Sequence, residues 1–124
     1  AGSGKTLLLE KTVEALRHEC RVLVLEGDLE TERDAERIRR YGVPAIQITT
    51  GTTCHLEAPM ILQALETVDL AGIDLLIVEN VGNLVCPAAY DLGETARVTL
   101  LAVTEGDDKP RKYPRMFLST DLVV

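Results

Sequence analysis

The chain has 124 residues, a formal net charge of -7 at pH 7, 46% hydrophobic residues and 27% charged residues. This length suits a single domain, and the composition is that of an ordinary soluble globular protein. The negative charge and the 3% of aromatic residues argue against a nucleic acid partner, because phosphate binding needs a concentrated basic face. No apolar run approaches the roughly 20 residues that span a bilayer, so we expect no membrane segment. Three cysteines are a sparse, odd set that favours a reducing compartment, and we expect a cytoplasmic protein.

Apolar runs alternate along the chain with amphipathic helical stretches. The runs are short and continuous, as is typical of parallel strands that are covered on both faces. The predicted elements are, in order, a helix through Leu9, Val13 and Leu16, a strand at 22–25, a helix over 31–40, a strand at 45–48, a helix face through 61–68, strands at 75–78 and 98–103, a Pro-rich turn at 109–114, a short helix and a final strand at 121–124.

This alternation predicts an α/β fold with a mostly parallel sheet and helices on both faces. Ligands of such folds bind at the carboxyl ends of the strands. Residues 1–6 read as the second half of a phosphate loop, and residues 121–124 read as a strand that is still running. We therefore expect residues 1–124 to be a single domain that is an internal fragment of a longer one, with its first strand missing.

The first motif is Gly2-Ser3-Gly4-Lys5-Thr6, which matches the end of G-x-x-x-x-G-K-[ST] and opens a helix. The glycines let backbone N–H groups point at phosphate oxygens, and the helix N-terminus adds partial positive charge. Lys5 would reach the β- and γ-phosphates, and the Thr6 hydroxyl would ligate Mg²⁺. The alternative is a turn that only begins a helix, but a lysine at that position opposes the helix dipole and needs an anion nearby.

The second motif is a buried strand that ends in Glu79 and is followed three residues later by Gly82. This is the Walker B arrangement, in which Glu79 holds Mg²⁺ directly or through water and the Gly82 amide senses the γ-phosphate. The alternative is a carboxylate that merely ends a strand. Lys5, Thr6 and Glu79 are therefore the catalytic candidates.

Two further acids follow the strand at 22–25. Asp28 lies at the predicted end of this strand, and Asp34 lies one to two helical turns further on. Several acids at one rim favour a bound cation that offsets their repulsion. Asp28 is the better candidate for the Mg²⁺ shell, since Asp34 could equally complement the dipole at the start of a helix.

Cys54 and His55 are adjacent in a loop after one predicted strand, and Cys86 lies seven residues beyond Glu79. Thiolate and imidazole favour nickel or zinc over magnesium. Three ligands are too few for a closed tetrahedral site, but a site shared across a two-fold axis would double the count. The alternative is that each cysteine is a small buried hydrophobe.

At this point the sequence resembles the HypB family of nickel-insertion GTPases, in the order and spacing of its motifs over nearly all of its length. The string Glu-Asn-Val-Gly-Asn-Leu-Val-Cys-Pro at 79–87 is highly specific to that family. Related urease nickel GTPases usually have Cys-Pro-His where this chain has Cys54-His55. The other matching strings lie at 26–28, 33–37, 42–45, 54–56 and 104–110.

The resemblance implies a SIMIBI-type P-loop GTPase that dimerises with GTP and carries nickel or zinc at the dimer interface. It implies nickel delivery, together with a small zinc-containing metallochaperone of the HypA type, to the large subunit of nickel-iron hydrogenase. The guanine-reading motif would lie just beyond Val124, so guanine specificity is implied by the resemblance only. The residues implied to bind GTP or GDP and Mg²⁺ are Gly2, Gly4, Lys5, Thr6, Asp28 and Glu79, and those implied to ligate the transition metal are Cys54, His55 and Cys86.

Two other classes of function stay open. A metal-binding interaction module could use nucleotide only as a dimerisation switch, and a P-loop kinase would need a second substrate pocket and a basic lid, which are not evident. Arg37, Arg39 and Arg40 lie among acids, and we predict that they form a solvated helix face. No Gln or Arg is an obvious water-positioning residue, so slow intrinsic hydrolysis is expected.

Overall fold

The computed structural model describes residues 2–29 and 31–124; Ala1, at the start of the phosphate-loop motif, lies outside them. No helix in this described part is both long and apolar enough to cross a membrane. Short 3₁₀ turns occur at 70–72, 86–89 and 103–105. The helices are α1 (Lys5–Leu16), α2 (Arg33–Arg39), α3 (Ala58–Leu65), α4 (Lys109–Lys112) and α5 (Pro114–Leu118), and the strands are β1 (Val22–Asp28), β2 (Ala45–Thr49), β3 (Leu75–Glu79), β4 (Val98–Thr99) and β5 (Leu122–Val123).

The main sheet has three parallel strands in the order β2-β1-β3. In this register Glu26 of β1 lies beside Gln47 of β2 on one side and beside Glu79 of β3 on the other. Register partners in neighbouring strands point to the same face of a sheet. A row of three polar side chains therefore crosses the sheet near its carboxyl edge. Strands β4 and β5 form a separate parallel pair.

Helices cover both faces of the main sheet. On one face, α1 and α2 pack through Val13 and Ile38 onto Val24, and all three side chains are fully buried. On the other face, Leu25 packs with Leu56 and with Ile61 of α3. Each apolar face is thereby removed from water, which is the main favourable contribution to folding. The predicted α/β fold with a parallel sheet and helices on both faces is confirmed.

Two predicted elements are wrong in detail. The strand predicted at 98–103 is regular only at Val98–Thr99, and Val103 is 96% exposed. The Glu105 carboxylate accepts a hydrogen bond from the backbone N–H of Ala102, which favours a 3₁₀ turn over a continued strand. The Pro-rich segment predicted as a turn is helical in α4, because Pro110 lies in the first turn, where no intrahelical N–H bond is lost.

Gly27 of β1 provides a test of this packing. A Cβ atom at position 27 would lie 2.7 Å from Cδ1 of Leu56, which is fully buried and has little room to move. We expect Gly27→Ala to lower the free energy of unfolding by about 1–3 kcal/mol, measured by urea denaturation of the intact protein. Gly72→Ala is the matched control, since nothing lies within 4 Å of a Cβ there. Equal effects of the two substitutions would contradict the packing.

Candidate functional site

The glycine loop leads directly into α1. Gly2 and Gly4 have φ values of 78° and 87°, in the left-handed region that glycine adopts without strain. The loop borders an open cavity of about 220 Å³ at the start of the helix. The cavity is lined by Gly2, Gly4, Lys5, Thr6, Leu7 and Arg37. Backbone turns of this kind, followed by a helix N-terminus, favour a bound anion.

The structure brings the two predicted nucleotide motifs into direct contact. The Thr6 hydroxyl donates a hydrogen bond of 2.8 Å to Oε1 of Glu79, across 73 residues of sequence. Lys5 lines the adjacent cavity. The predicted catalytic residues are therefore neighbours at the carboxyl edge of the main sheet.

A third acid joins this site from β1. The ligand oxygens of Glu26, Asp34 and Glu79 all lie within 4.8 Å of one another. Glu26 is only 1% exposed, and burial, with the hydrogen bond and the charge of Glu79 as further causes, raises the pKa of Glu26 to about 10. Within the described residues, Oε1 of Glu26 and Oε2 of Glu79 are buried without a hydrogen-bond partner. An oxygen-only donor set with unsatisfied atoms fits a hard divalent cation such as Mg²⁺.

Other predicted nucleotide-site residues have different surroundings. Oδ2 of Asp28 accepts hydrogen bonds from the backbone N–H and the hydroxyl of Thr31, which closes the loop after β1. Glu26, not Asp28, belongs to the three-carboxylate cluster, and a Mg²⁺ role for Asp28 stays a prediction. Asp34 lies both in the first turn of α2 and in the cluster, so both interpretations of this residue fit. Ser3 and Gly82 are half-buried in their loops.

Arg37 departs from the predicted solvated face. Its guanidinium pairs with Glu10 of α1 and lies 3.7 Å from Asp34, and the side chain borders the phosphate cavity. The reason is the position of α2, whose buried residues Ala35 and Ile38 pack on the sheet and leave Arg37 beside α1. Arg40 is exposed, as predicted.

The predicted thiol-imidazole residues also converge. Sγ of Cys54 lies 2.6 Å from Sγ of Cys86 and 3.9 Å from Nδ1 of His55. The three ligand atoms lie within 4.8 Å of one another. Cys54 and His55 follow β2, and Cys86 follows β3, so this group occupies the same edge of the main sheet as the nucleotide motifs.

Two residues that the sequence did not single out fix the imidazole of His55. Nε2 of His55 lies 2.9 Å from a carboxylate oxygen of Glu57, and the ring stacks on Tyr90 with centroids 4.0 Å apart. A proton on Nε2 that is donated to Glu57 leaves Nδ1 free to face the sulfurs. The spacing of Glu57 and Tyr90 matches no ligand motif, so only the fold reveals their position.

Two asparagines after Glu79 form hydrogen bonds with the segments that carry the candidate metal ligands. Oδ1 of Asn80 accepts a hydrogen bond of 2.9 Å from the backbone N–H of Leu56. The side-chain amide of Asn83 donates to the carbonyl of Cys54, and its oxygen accepts 2.8 Å from the N–H of Cys86. Both lie in the family-specific string, which was the only signal for them.

The three candidate ligands share protons unequally. The hydrogen bond between Cys54 and Cys86, and secondly the one between Cys54 and His55, holds the pKa of Cys54 below its usual value. The same contact with Cys54 raises the pKa of Cys86, and the hydrogen bond with Cys54 raises that of His55. Cys54 is therefore the first of the two thiols to become a thiolate, which is the form that binds metal.

A glycine loop that faces a strand-terminal acid across a parallel sheet defines a P-loop nucleotide-binding domain. Residues 1–124 match the family described as CobW/HypB/UreG, nucleotide-binding domain, and the chain belongs to this family. The resemblance to HypB noted in the sequence is confirmed by the relatives described next.

The similar proteins are hydrogenase maturation factors. The chain is 57% identical to the HypB of Azotobacter chroococcum mcd 1 over 99% of its own length and 40% of the relative's. A crystal structure of HypB from Helicobacter pylori in complex with nickel superposes with a TM-score of 0.91 at 51% identity, covering 99% of this chain and 58% of that one. HypB from Archaeoglobus fulgidus superposes with a TM-score of 0.88 at 48% identity, over 98% and 59% of the two chains. This chain thus spans about two fifths of the curated Azotobacter relative.

The proton sharing at Cys54 can be measured in metal-free protein. Because its lowered pKa depends first on Cys86, we expect Cys86→Ala to raise the pKa of Cys54 towards the ordinary thiol value. The measurement is the rate of iodoacetamide alkylation against pH, in a Cys20→Ser background so that only the site thiols react. A profile for Cys54 that is unmoved by Cys86→Ala would contradict the thiol-thiol contact as the cause.

Proposed function

We propose that this chain is the nucleotide-hydrolysing core of a protein that couples GTP hydrolysis to nickel delivery during the maturation of nickel-iron hydrogenase. Membership of the nucleotide-binding family and the names of the relatives support this proposal. One observation carries it. The Thr6–Glu79 contact and the Cys54–Cys86 pair lie at the same sheet edge, and Cys86 follows Glu79 by only seven residues.

Hydrolysis would be an in-line attack of water on the γ-phosphate. The Lys5 ammonium and the N–H groups of the glycine loop stabilise charge that develops on the phosphate oxygens. Thr6 and Glu79, with Glu26 and Asp34 beside them and Asp28 as the sequence-based candidate, would hold Mg²⁺. The ion supplies further neutralisation of phosphate charge. Gly82 would sense the γ-phosphate through its amide.

Nickel is the cargo in this proposal, and Cys54, His55 and Cys86 are its ligands. Two sulfurs and an imidazole nitrogen suit nickel or zinc better than a hard cation. Three ligands leave the metal incompletely enclosed, which favours a site that is completed across a GTP-dependent homodimer or by a partner. The proposed partners are a HypA-type metallochaperone and the hydrogenase large subunit. The proposed location of the protein and both partners is the cytoplasm.

The two sites would be thermodynamically coupled. The segment 79–86 links the acid that faces the nucleotide to a cysteine of the metal site, so a nucleotide-dependent shift of this segment changes the metal ligands. Any such coupling is reciprocal, and nickel must change nucleotide affinity by the same factor. A phosphate-release rate that changes when nickel is added supports coupled delivery. A rate indifferent to nickel favours a metal-binding module that uses nucleotide only to dimerise.

Lys5 is the test of the catalytic assignment. We expect Lys5→Ala to lower the rate of phosphate release at saturating GTP by about 100-fold or more, because a cation facing the γ-phosphate is lost. Lys11→Ala is the matched control, since Lys11 lies on the same helix and pairs with exposed Glu14. Similar turnover in the two variants would count against phosphate binding by Lys5.

Cys86 tests the division of labour between the sites. Removal of a ligand should cost at least as much as removal of an outer contact, so we expect Cys86→Ala to weaken nickel binding by about tenfold or more. GTP affinity of the separated subunit should stay nearly unchanged. Isothermal titration measures both quantities, with Cys20→Ala as the control thiol substitution. An equal loss of both affinities would refute separate roles.

A further inference from the structure

The closeness of Cys54 and Cys86 needs a physical cause. Cys54 follows β2 and Cys86 follows β3, and β1 lies between these two strands. Two strand spacings amount to about 10 Å. The sulfurs nevertheless lie 2.6 Å apart, so the two loops must lean towards each other over the end of β1. Ordering two loops costs conformational entropy, which some specific interaction has to offset.

Asn83 provides that interaction. Its side-chain NH₂ donates to the carbonyl of Cys54. Its side-chain oxygen accepts from the N–H of Cys86 at 2.8 Å and from that of Val85 at 3.0 Å. One planar amide therefore bonds to the backbone of both cysteines.

The chemistry of this bridge requires an amide. Aspartate could still accept from the N–H groups of residues 85 and 86, but it has no proton to donate and would face the carbonyl oxygen of Cys54. Serine could cap the local turn but is too short to reach the other loop. The side-chain oxygen of Asn80 accepts hydrogen bonds from the backbone N–H groups of Leu56 and Val81. Among the hydrogen bonds of the described residues, Asn80 makes none to the backbone of Cys54 or Cys86.

We propose that Asn83 is a positioning residue that holds the two thiols side by side before any metal arrives. This inference rests on the proposed function for the identity of the metal, but the preorganised thiol pair does not depend on nickel. Preorganisation raises affinity because the loops are already ordered when the ligand binds. Loss of the bridge should therefore weaken the capture of any ligand that binds both cysteine thiols, while the phosphate loop stays intact.

The first experiment uses a probe that is independent of nickel. Phenylarsine oxide forms two As–S bonds with a pair of neighbouring thiols and releases water, so its capture reports the effective concentration of one thiol near the other. In the intact protein with Cys20→Ser, we expect Asn83→Asp and Asn83→Ser to slow capture by about tenfold or more. Gln63→Glu makes the same amide-to-acid change as Asn83→Asp at an exposed position of α3 and should leave capture unchanged.

The second experiment measures nickel itself. We expect a 10–100-fold loss of Ni²⁺ affinity in Asn83→Asp, with weaker thiolate-to-nickel charge-transfer absorbance per bound ion. A tenfold change in affinity corresponds to 1.4 kcal/mol, and a twofold change to about a third of that. Nucleotide affinity within about twofold of the parent therefore shows that the variants keep a folded nucleotide site.

The outcomes separate the two proposals. Capture of the arsenical and binding of nickel at parent values in either Asn83 variant would overturn the positioning role. Arsenical capture that depends on Asn83, in a parent protein that does not bind nickel, would support the positioning role and overturn only the proposed function.

Discussion

The parallel pairing of β1 with β2 on one side and β3 on the other is the constraint on which the whole site depends. Residues 23–25 of β1 are at most 2% exposed, so this strand is fixed by apolar packing on both faces. Its register places Glu26 beside Gln47 and Glu79. All three strands therefore end at one edge, and the loops that carry the candidate ligands begin there.

Burial of carboxylates at that edge has an energetic cost that the described protein groups only partly offset. Thr6 satisfies one oxygen of Glu79, but a second oxygen of Glu79 and one of Glu26 are buried without a partner. A buried polar atom without a hydrogen bond costs about 1–3 kcal/mol. A cation or a nucleotide complex in the cavity would relieve this cost. The same groups thus limit stability and favour ligand binding.

The thiol-imidazole group is held by contacts from two parts of the chain. Asn83, in the segment that follows Glu79, bonds to the backbone of Cys86, and Asn80 bonds to the N–H of Leu56, the residue after His55, so the end of β3 is common to both candidate sites. Tyr90 stacks on His55, and the Arg97 guanidinium donates a hydrogen bond of 3.0 Å to the Tyr90 carbonyl. Arg97 precedes β4, so the segment that carries Cys86 is attached to the second pair of strands as well. A second arrangement of the segment that carries Cys86 would have to break some of these contacts, so their presence or loss would distinguish the two arrangements.

The sequence by itself determined the features that a few neighbouring residues encode. Gly2 to Thr6 specify a backbone turn and a helix start, short apolar runs specify buried strands, and an acid or a Cys-His pair after a strand marks the sheet edge that carries the candidate ligands. It predicted Asp28 as a Mg²⁺ residue, which stays a prediction, and it did not single out Glu26, which the structure brings into the carboxylate cluster with Asp34 and Glu79. Glu26 and Asp28 share one face of β1, and only the position of α2 and β3 decides which one meets Glu79.

Only the tertiary structure decided the partners of side chains that are distant in sequence. The Arg37–Glu10 pair, the stacking of Tyr90 on His55 and the bridge made by Asn83 join elements that are 27, 35 and 29 residues apart. Such contacts depend on how helices and loops pack on the sheet, and no local conformational preference of these residues specifies them. The physical reason is that a backbone turn is set by the residues within it, whereas a hydrogen bond between two loops exists only after both have been placed by the core.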